Sequence, residues 1–286
     1  MDIYKISFEQ IRQRPGLNEM LQALERGFTK FQIDYYLVGA VSRDVWMSGI
    51  HKFKPRRTTR DIDFAILINE KGVYEELKDY LVEKEGFNSY RENALVLIWK
   101  DGYQVDLLPF GAIEDENRRV TIQGRGFTSI DVDGFKEVYE EGLPDLELGG
   151  EHHFKFCTLP GIVLLKLIAW DDRPEMRRDD ILDISELLDH FFDMYMDRIW
   201  EEYEDLATKE DSESKGIAAE VMGREIRKIA LRNDKLFQRI GKILKENSGN
   251  PESIRMGVIM SKYFDNTVEE NVQVIRKMEA GFLAIS

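Results

Sequence analysis

Two aspartates set two residues apart, Asp61 and Asp63 in "RRTTRDIDFAIL" (56–67), open a run that is otherwise apolar. In a strand such residues share a face, so both carboxylates look one way while Ile62 and Phe64 look the other. The pair is either a solvated strand end or part of a metal site. A third carboxylate, Asp106, interrupts the apolar run 105–110 in "YQVDLLPFG" and needs a partner there. If strand 103–108 lies beside 61–67, three carboxylates converge at one sheet edge, where like charges raise one another's pKa values unless a cation neutralises them. Magnesium suits all-oxygen ligation, above all when a substrate triphosphate supplies the remaining ligands. Two such ions roughly 4 Å apart can activate an attacking hydroxyl and stabilise a leaving pyrophosphate. The competing reading pairs Asp106 with Arg56, Arg57 or Arg60.

Upstream, "LVGAVSRD" (37–44) reads as a strand that stops at Gly39-Ala40 and a helix that starts near Ser42. Small residues let backbone approach a ligand closely, and a helix start offers free N–H groups and positive dipole to a phosphate. The Ser42 hydroxyl could donate to the same phosphate, and Arg43 stands beside it. Against this, Gly39 could be an ordinary turn glycine, Ser42 an N-cap and Arg43 a surface ion-pair residue.

Farther on, Lys166 interrupts the apolar stretch 162–170 of "LPGIVLLKLIAWDD" and needs an anion if it is buried. Two anions suggest themselves: the Asp61/Asp63/Asp106 cluster or the triphosphate of a bound nucleotide. Asp180 and Asp183, three apart on the next helix, share a face and could position Lys166 or touch a nucleotide. Alternatively Lys166 snorkels from a helix flank. His152-His153, with no third ligand nearby, read as surface loop residues, and Cys157 reads as a small buried hydrophobe. Trp170, Phe191, Phe192, Tyr195 and Trp200 read as core of the second half.

The elements that must position these groups change in character near residue 150. Before it, a helix over 17–30, strand "IDYYLVGA", helix "VSRDVWMSGI", strand "DIDFAILI", a helix in "KGVYEELKDYLVEKEG" and strands "NALVLIWK" and "YQVDLLPFG" give an α/β pattern. Short strands are expected at "RRVTIQ" and "FTSIDV" within an irregular segment 109–155, with Gly-rich "LELGGEHH" as a joint. Amphipathic stretches at 159–172, 178–194, 214–231, 234–247, 252–263 and 267–281 predict a helical half, and "TKEDSESKG" predicts a loop. Two domains follow, 1–150 and 151–286, with the site in the cleft between them.

Composition excludes several classes. With 286 residues and 43% hydrophobic content the chain can bury a real core. A net charge of -14 argues against a broad nucleic-acid footprint, leaving only local basic patches at Arg56, Arg57 and Arg60 and at Arg118, Arg119 and Arg125. One cysteine allows no intrachain disulfide framework and no four-ligand Cys/His zinc site. No signal peptide or membrane-spanning run is evident, which predicts a soluble cytoplasmic protein.

"LVGA", then "SRD", then "RDIDFAI" resembles the nucleotidyltransferase superfamily of DNA polymerase β, over about 36–111. The resemblance is closer to the AbiEii/AbiGii-type toxins of abortive-infection toxin–antitoxin systems, through the "DIDF" strand, Lys166 ahead of Ala169 and Arg173, and the helix "RRDDILD". It implies an α+β fold, a mixed sheet with flanking helices followed by an α-helical domain. It also implies that Gly39, Ala40 and Ser42 hold nucleotide phosphates, with Arg43, Lys166, Asp180 and Asp183 also on the nucleotide. Asp61, Asp63 and Asp106 would hold two Mg2+ ions, with Lys166 counted among the catalytic residues and Asp106 assisting the attacking hydroxyl. The implied reaction moves a nucleoside monophosphate from a nucleoside triphosphate to an acceptor hydroxyl on RNA, protein or a small molecule, with an antitoxin as partner. The pattern departs from the family at Ala40, where a second Gly or Ser is usual, and at Asp179, where Lys is common. A catalytically silent regulatory protein of the same fold, and an antibiotic-type adenylyltransferase, are the alternatives.

Overall fold

The computed structural model describes all residues except 1–2, 12–15, 58–60, 124–126, 209–212, 250–253, 264 and 285–286. Arg60 and Arg125 lie outside the described residues, as does part of "TKEDSESKG". Two compact units, residues 1–158 and 159–286, divide the chain.

In the first unit, helix α1 (Leu17–Lys30) buries Met20, Leu21, Leu24 and Phe28, the spacing of one helical face. Strand β2 (Tyr35–Val38) runs into α2 (Gly39–Asp44), which continues as a π-helical turn over Val45–Ile50. Strand β3 (Asp61–Ile68) buries Ile62, Phe64, Ile66 and Ile68 on one face, and Phe64 meets Phe28 of α1 edge-on. Helix α3 (Val73–Lys84) lies beside α1, with Leu77 and Leu81 closing on Gly27. Strand β6 (Gln104–Gly111) follows β5 (Val96–Ile98) through a 3-10 turn at Lys100–Gly102.

Among the described residues of this unit, β1 (Ile3–Ile6), a 3-10 turn (Glu9–Ile11), β4 (Asn88–Ser89), α4 (Phe135–Glu141), β9 (Asp145–Leu148) and β10 (His152–Phe156) escape the sequence pattern. The stretch read as a joint is the β9–β10 hairpin, turned by Gly149 and Gly150, both at positive φ (65° and 77°). Leu148 pairs with His152, which leaves a three-residue turn, Gly149-Gly150-Glu151, whose first two positions glycine occupies at positive φ without steric cost. The sheet order is β1-β9-β10-β2-β3-β6-β5-β4, with β1/β9, β10/β2 and β3/β6 parallel and the other pairs antiparallel. The expected strands "RRVTIQ" and "FTSIDV" form a separate hairpin, β7 (Arg119–Gln123) with β8 (Phe127–Asp131).

One sheet face lies under α1, where His152 is 1% exposed and hydrogen-bonds Glu25 Oε1 (2.9 Å) and Asn18 Oδ1 (2.5 Å). His152 is therefore a core residue and not a loop residue, whereas His153 is exposed as expected. The opposite face carries Asp61, Asp63 and Asp106. Toward the far ends of β3 and β6 it is covered by α4, where Phe110 packs on Tyr36, Phe135 and Tyr139.

The second unit is helical: α5 (Leu159–Asp172), α6 (Arg178–Met194), α7 (Met196–Glu202), α8 (Glu204–Ala207), α9 (Ser214–Ala230), α10 (Asp234–Ser248), α11 (Arg255–Ser261) and α12 (Val268–Leu283). Helices α9 and α12 cross at two reciprocal glycines. A Cβ on Gly223 would run into the backbone of Met278, and one on Gly281 into the backbone of Glu220. Capping fixes two starts: Asn233 accepts from Lys235 and Leu236, and Thr267 and Glu270 form a capping box. Trp170 and Phe191 are buried as expected, Phe192 and Tyr195 are half-buried, and Trp200 is 52% exposed at the surface of α7. Among the described residues no helix is long and apolar enough to cross a membrane.

Candidate active site

Strand register settles which carboxylates are neighbours. In the parallel β3/β6 pair, Asp63 stands opposite Asp106 and Asp61 opposite Gln104, so all four side chains leave the same sheet face at its open end. Asp61 is exposed, while Asp63 and Asp106 are half-buried. Gln104 Nε2 donates to Asp106 Oδ1 at 3.0 Å, which draws that carboxylate along its own strand.

The β2–α2 turn comes to the same place from the other side. Val38, the last residue of β2, pairs with Asp63, and Gly39 follows it with φ at +68°. A Cβ on Gly39 would overlap the Asp63 carboxylate, lying 2.9 Å from its Cγ. Both the backbone conformation and the space therefore require glycine, and the bare Gly39 backbone lies against an aspartate side chain.

The next residues of α2 turn inward. Ser42 is fully buried and donates to the Cys157 carbonyl (3.2 Å), which also accepts from Trp46 Nε1 (2.8 Å). Cys157 is a buried free thiol as expected, and desolvation pushes its pKa far above the usual thiol range. Arg43, also fully buried, puts Nε and Nη2 on Asp44 Oδ1 (3.0 and 2.7 Å) and donates from Nη2 to the Arg57 carbonyl (3.0 Å). Ser42 thus ties α2 to the carbonyl that follows β10, and Arg43 ties it to Asp44 and to the basic stretch. Ala40 is buried at the edge of the turn.

Lys166 and its acids sit together in the helical unit. Its Nζ lies 2.6 Å from Asp180 Oδ1 and 2.8 Å from Asp183 Oδ2. Burial alone would lower the Lys166 pKa, but the two carboxylates outweigh it and hold the ammonium above the ordinary lysine value. Asp180 and Asp183 of α6 thus supply an anion to the buried Lys166, the positioning role that their spacing offered. Arg118, expected in a basic patch, is likewise committed, pairing with Glu114 (2.8 Å), Glu137 (3.1 Å) and Asp133 (3.7 Å).

Among the described residues no three or more His, Cys, Asp and Glu side chains are drawn together tightly enough to hold a metal ion. The register explains this: Asp63 stands beside Asp106, but Asp61 sits two residues along the strand, roughly 6–7 Å away. Like charges also have no reason to close on one point unless a cation joins them. The donor set itself fits a hard divalent cation. It is all carboxylate oxygen, on one face at an open strand end, with Asp63 placed by the glycine turn.

No family model and no curated protein matches the chain. Solved structures overlap it weakly. The antibiotic-resistance factor ANT(2'')-Ia is 10% identical, over 80% of this chain and 96% of that one, with a TM-score of 0.35. An antigenic nucleotidyltransferase-like protein from Paracoccidioides brasiliensis is 13% identical over 71% and 93%, also at 0.35. An apo CCA-adding enzyme is 14% identical over 91% and 68%, at 0.30.

Proposed function

We propose that the first unit is a Mg2+-dependent nucleotidyltransferase that moves a nucleoside monophosphate from a nucleoside triphosphate to a hydroxyl acceptor. One arrangement carries the reading: Asp63 and Asp106 in register on parallel neighbours, with Gly39 closing on Asp63 from the β2–α2 turn. Asp61, Asp63 and Asp106 would hold the ions, which neutralise the triphosphate and the developing negative charge in transfer. Phosphate oxygens would meet the backbone of the Gly39-Ala40 turn rather than the Ser42 hydroxyl or the Arg43 guanidinium. The acceptor oxygen attacks the α-phosphorus in line, its proton passes to the Asp106 carboxylate, and the bond to the β-phosphate oxygen breaks to release pyrophosphate.

The commitment of Ser42 to Cys157 and of Arg43 to Asp44 supports a second reading. On it, the chain keeps the fold and binds nucleotide without turnover. The toxin role implied by the AbiEii-type resemblance rests on "DIDF" and "RRDDILD". It requires that growth arrest on induction be abolished by Asp63→Ala.

Incubating the protein with labelled nucleoside triphosphates, Mg2+ and total cellular RNA, protein or small-molecule extract separates transfer from silence and identifies the acceptor fraction. Label should enter one fraction with wild type and none with Asp61→Ala/Asp63→Ala. Absence of label from all fractions with wild type favours the silent reading.

A further inference from the structure

We propose that the helical unit carries a separate binding site for a nucleoside phosphate, between the end of α5, the start of α6 and α11. A pocket of about 300 Å³ there is lined by Trp170, Glu175, Arg178, Arg255, Lys262 and Tyr263, among others. That is room for one nucleotide-sized group.

Three observations converge on the ligand. First, the chain is strongly acidic, with a net charge of -14, and other basic side chains of this unit are ion-paired: Lys166 with Asp180, Lys215 with Asp189, Arg224 with Asp205 and Arg239 with Asp171. Among the described residues no carboxylate pairs with Arg178, Arg255 or Lys262. Three such cations around one hollow repel one another, and an anion that enters the hollow relieves that repulsion. Two guanidinium forks and an ammonium suit the tetrahedral oxygens of a phosphate.

Second, the walls are aromatic. Tyr263, a lining residue, is 61% exposed, and the Arg255 guanidinium carbon stands 6.0 Å from the centre of the Trp170 ring. An exposed aromatic beside arginines is the combination on which a nucleobase stacks while its phosphate is neutralised. Third, Trp170, a lining residue, is only 5% exposed, and its buried indole N–H has no hydrogen-bond partner. Glu175, the single carboxylate among the lining residues, can accept from a ribose hydroxyl or a base amine, groups that inorganic phosphate lacks.

The site belongs to the helical unit alone and does not depend on the transfer reading. The nucleoside phosphate could be a free nucleotide or the end of a single-stranded RNA, and the test separates these. Binding is measured by titration on the full chain carrying Asp61→Ala/Asp63→Ala, in EDTA, so that metal-dependent binding at the aspartates does not contribute. The probes are AMP, a short single-stranded oligoadenylate with a terminal phosphate, inorganic phosphate and a polyglutamate peptide.

AMP binding supports a free nucleotide, and oligoadenylate binding without AMP binding supports a strand end. Either should weaken about tenfold in Arg255→Glu/Lys262→Glu and severalfold in Tyr263→Ala, survive in Tyr263→Phe, and fall with added salt. These are exposed residues of α11 and its flank, so a melting temperature within a few degrees of the parent confirms that the variants fold. Inorganic phosphate binding as tightly as AMP, polyglutamate binding more tightly than both nucleotide probes, no binding of either nucleotide probe, or variants that bind like the parent would each overturn the proposal.

Discussion

Asp63 excludes any larger residue from the place of Gly39: the backbone at 39 adopts φ of +68° and a Cβ there would overlap the Asp63 carboxylate. Gly39→Ala should therefore lose stability twice over, about 1–2 kcal/mol from the left-handed backbone and more from displacing Asp63. Gly72 supplies the control, since its φ is +96° with nothing within 4 Å of an added Cβ. Denaturant melts should show Gly39→Ala to be the more damaging of the two, and only Gly39→Ala should abolish nucleotide binding. Equal losses would mean that Asp63 gives way freely.

The α9–α12 crossing gives a prediction whose sign is informative. On helix propensity alone, Gly→Ala at positions 223 and 281 should stabilise by about 1 kcal/mol each. Both sites press on backbone that cannot move aside cheaply, Met278 and Glu220, so each substitution should instead destabilise by about 2 kcal/mol or more. Thermal unfolding of the two variants checks the direction.

Lys166 with Asp180 and Asp183 is a buried triad, so removing the ammonium alone strands two carboxylates. Lys166→Met should cost about 3–5 kcal/mol, and the triple variant Lys166→Met/Asp180→Asn/Asp183→Asn should recover much of it. The pH dependence follows from the raised pKa of Lys166. Folding holds the proton more tightly than the unfolded chain does, so this contribution is fully present below the ordinary lysine value and is lost as pH rises through the folded one. Alkaline unfolding curves should show that loss in wild type and not in the triple variant.

His152 marks the limit of what the sequence disclosed. Long periodic elements were legible: α1, β3 and α6 fall where their apolar spacing predicts, because one buried face dictates the period, whereas α5 falls at the expected residues but is buried nearly all round and not amphipathic. The neighbourhood of Asp63 and Asp106 was legible too, since a β–α–β order brings those strands side by side. Partner choice was legible only in part. That Ser42 meets the Cys157 carbonyl depends on a contact between residues far apart in the chain, which local spacing does not encode, whereas the spacing of Asp180 and Asp183 did offer the partners of Lys166. "LELGGEHH" looked like a linker because its polar residues hide the alternation of Leu146, Leu148, His152, Phe154 and Phe156, all buried in the sheet. In urea titrations of the two variants, His152→Ala should accordingly cost about 2–4 kcal/mol through lost packing and lost hydrogen bonds to Glu25 and Asn18, while His153→Ala stays within about 0.5 kcal/mol.

The central claim, that Asp61, Asp63, Asp106 and the Gly39 turn form a metal-dependent nucleotide site, is tested most directly by isothermal titration with a nonhydrolysable nucleoside triphosphate. Wild type should bind it with Mg2+ and lose most of that binding in EDTA, while Asp61→Ala/Asp63→Ala should show no Mg2+-dependent component. Wild-type binding that is absent, or that is the same with Mg2+ and with EDTA, would contradict the claim.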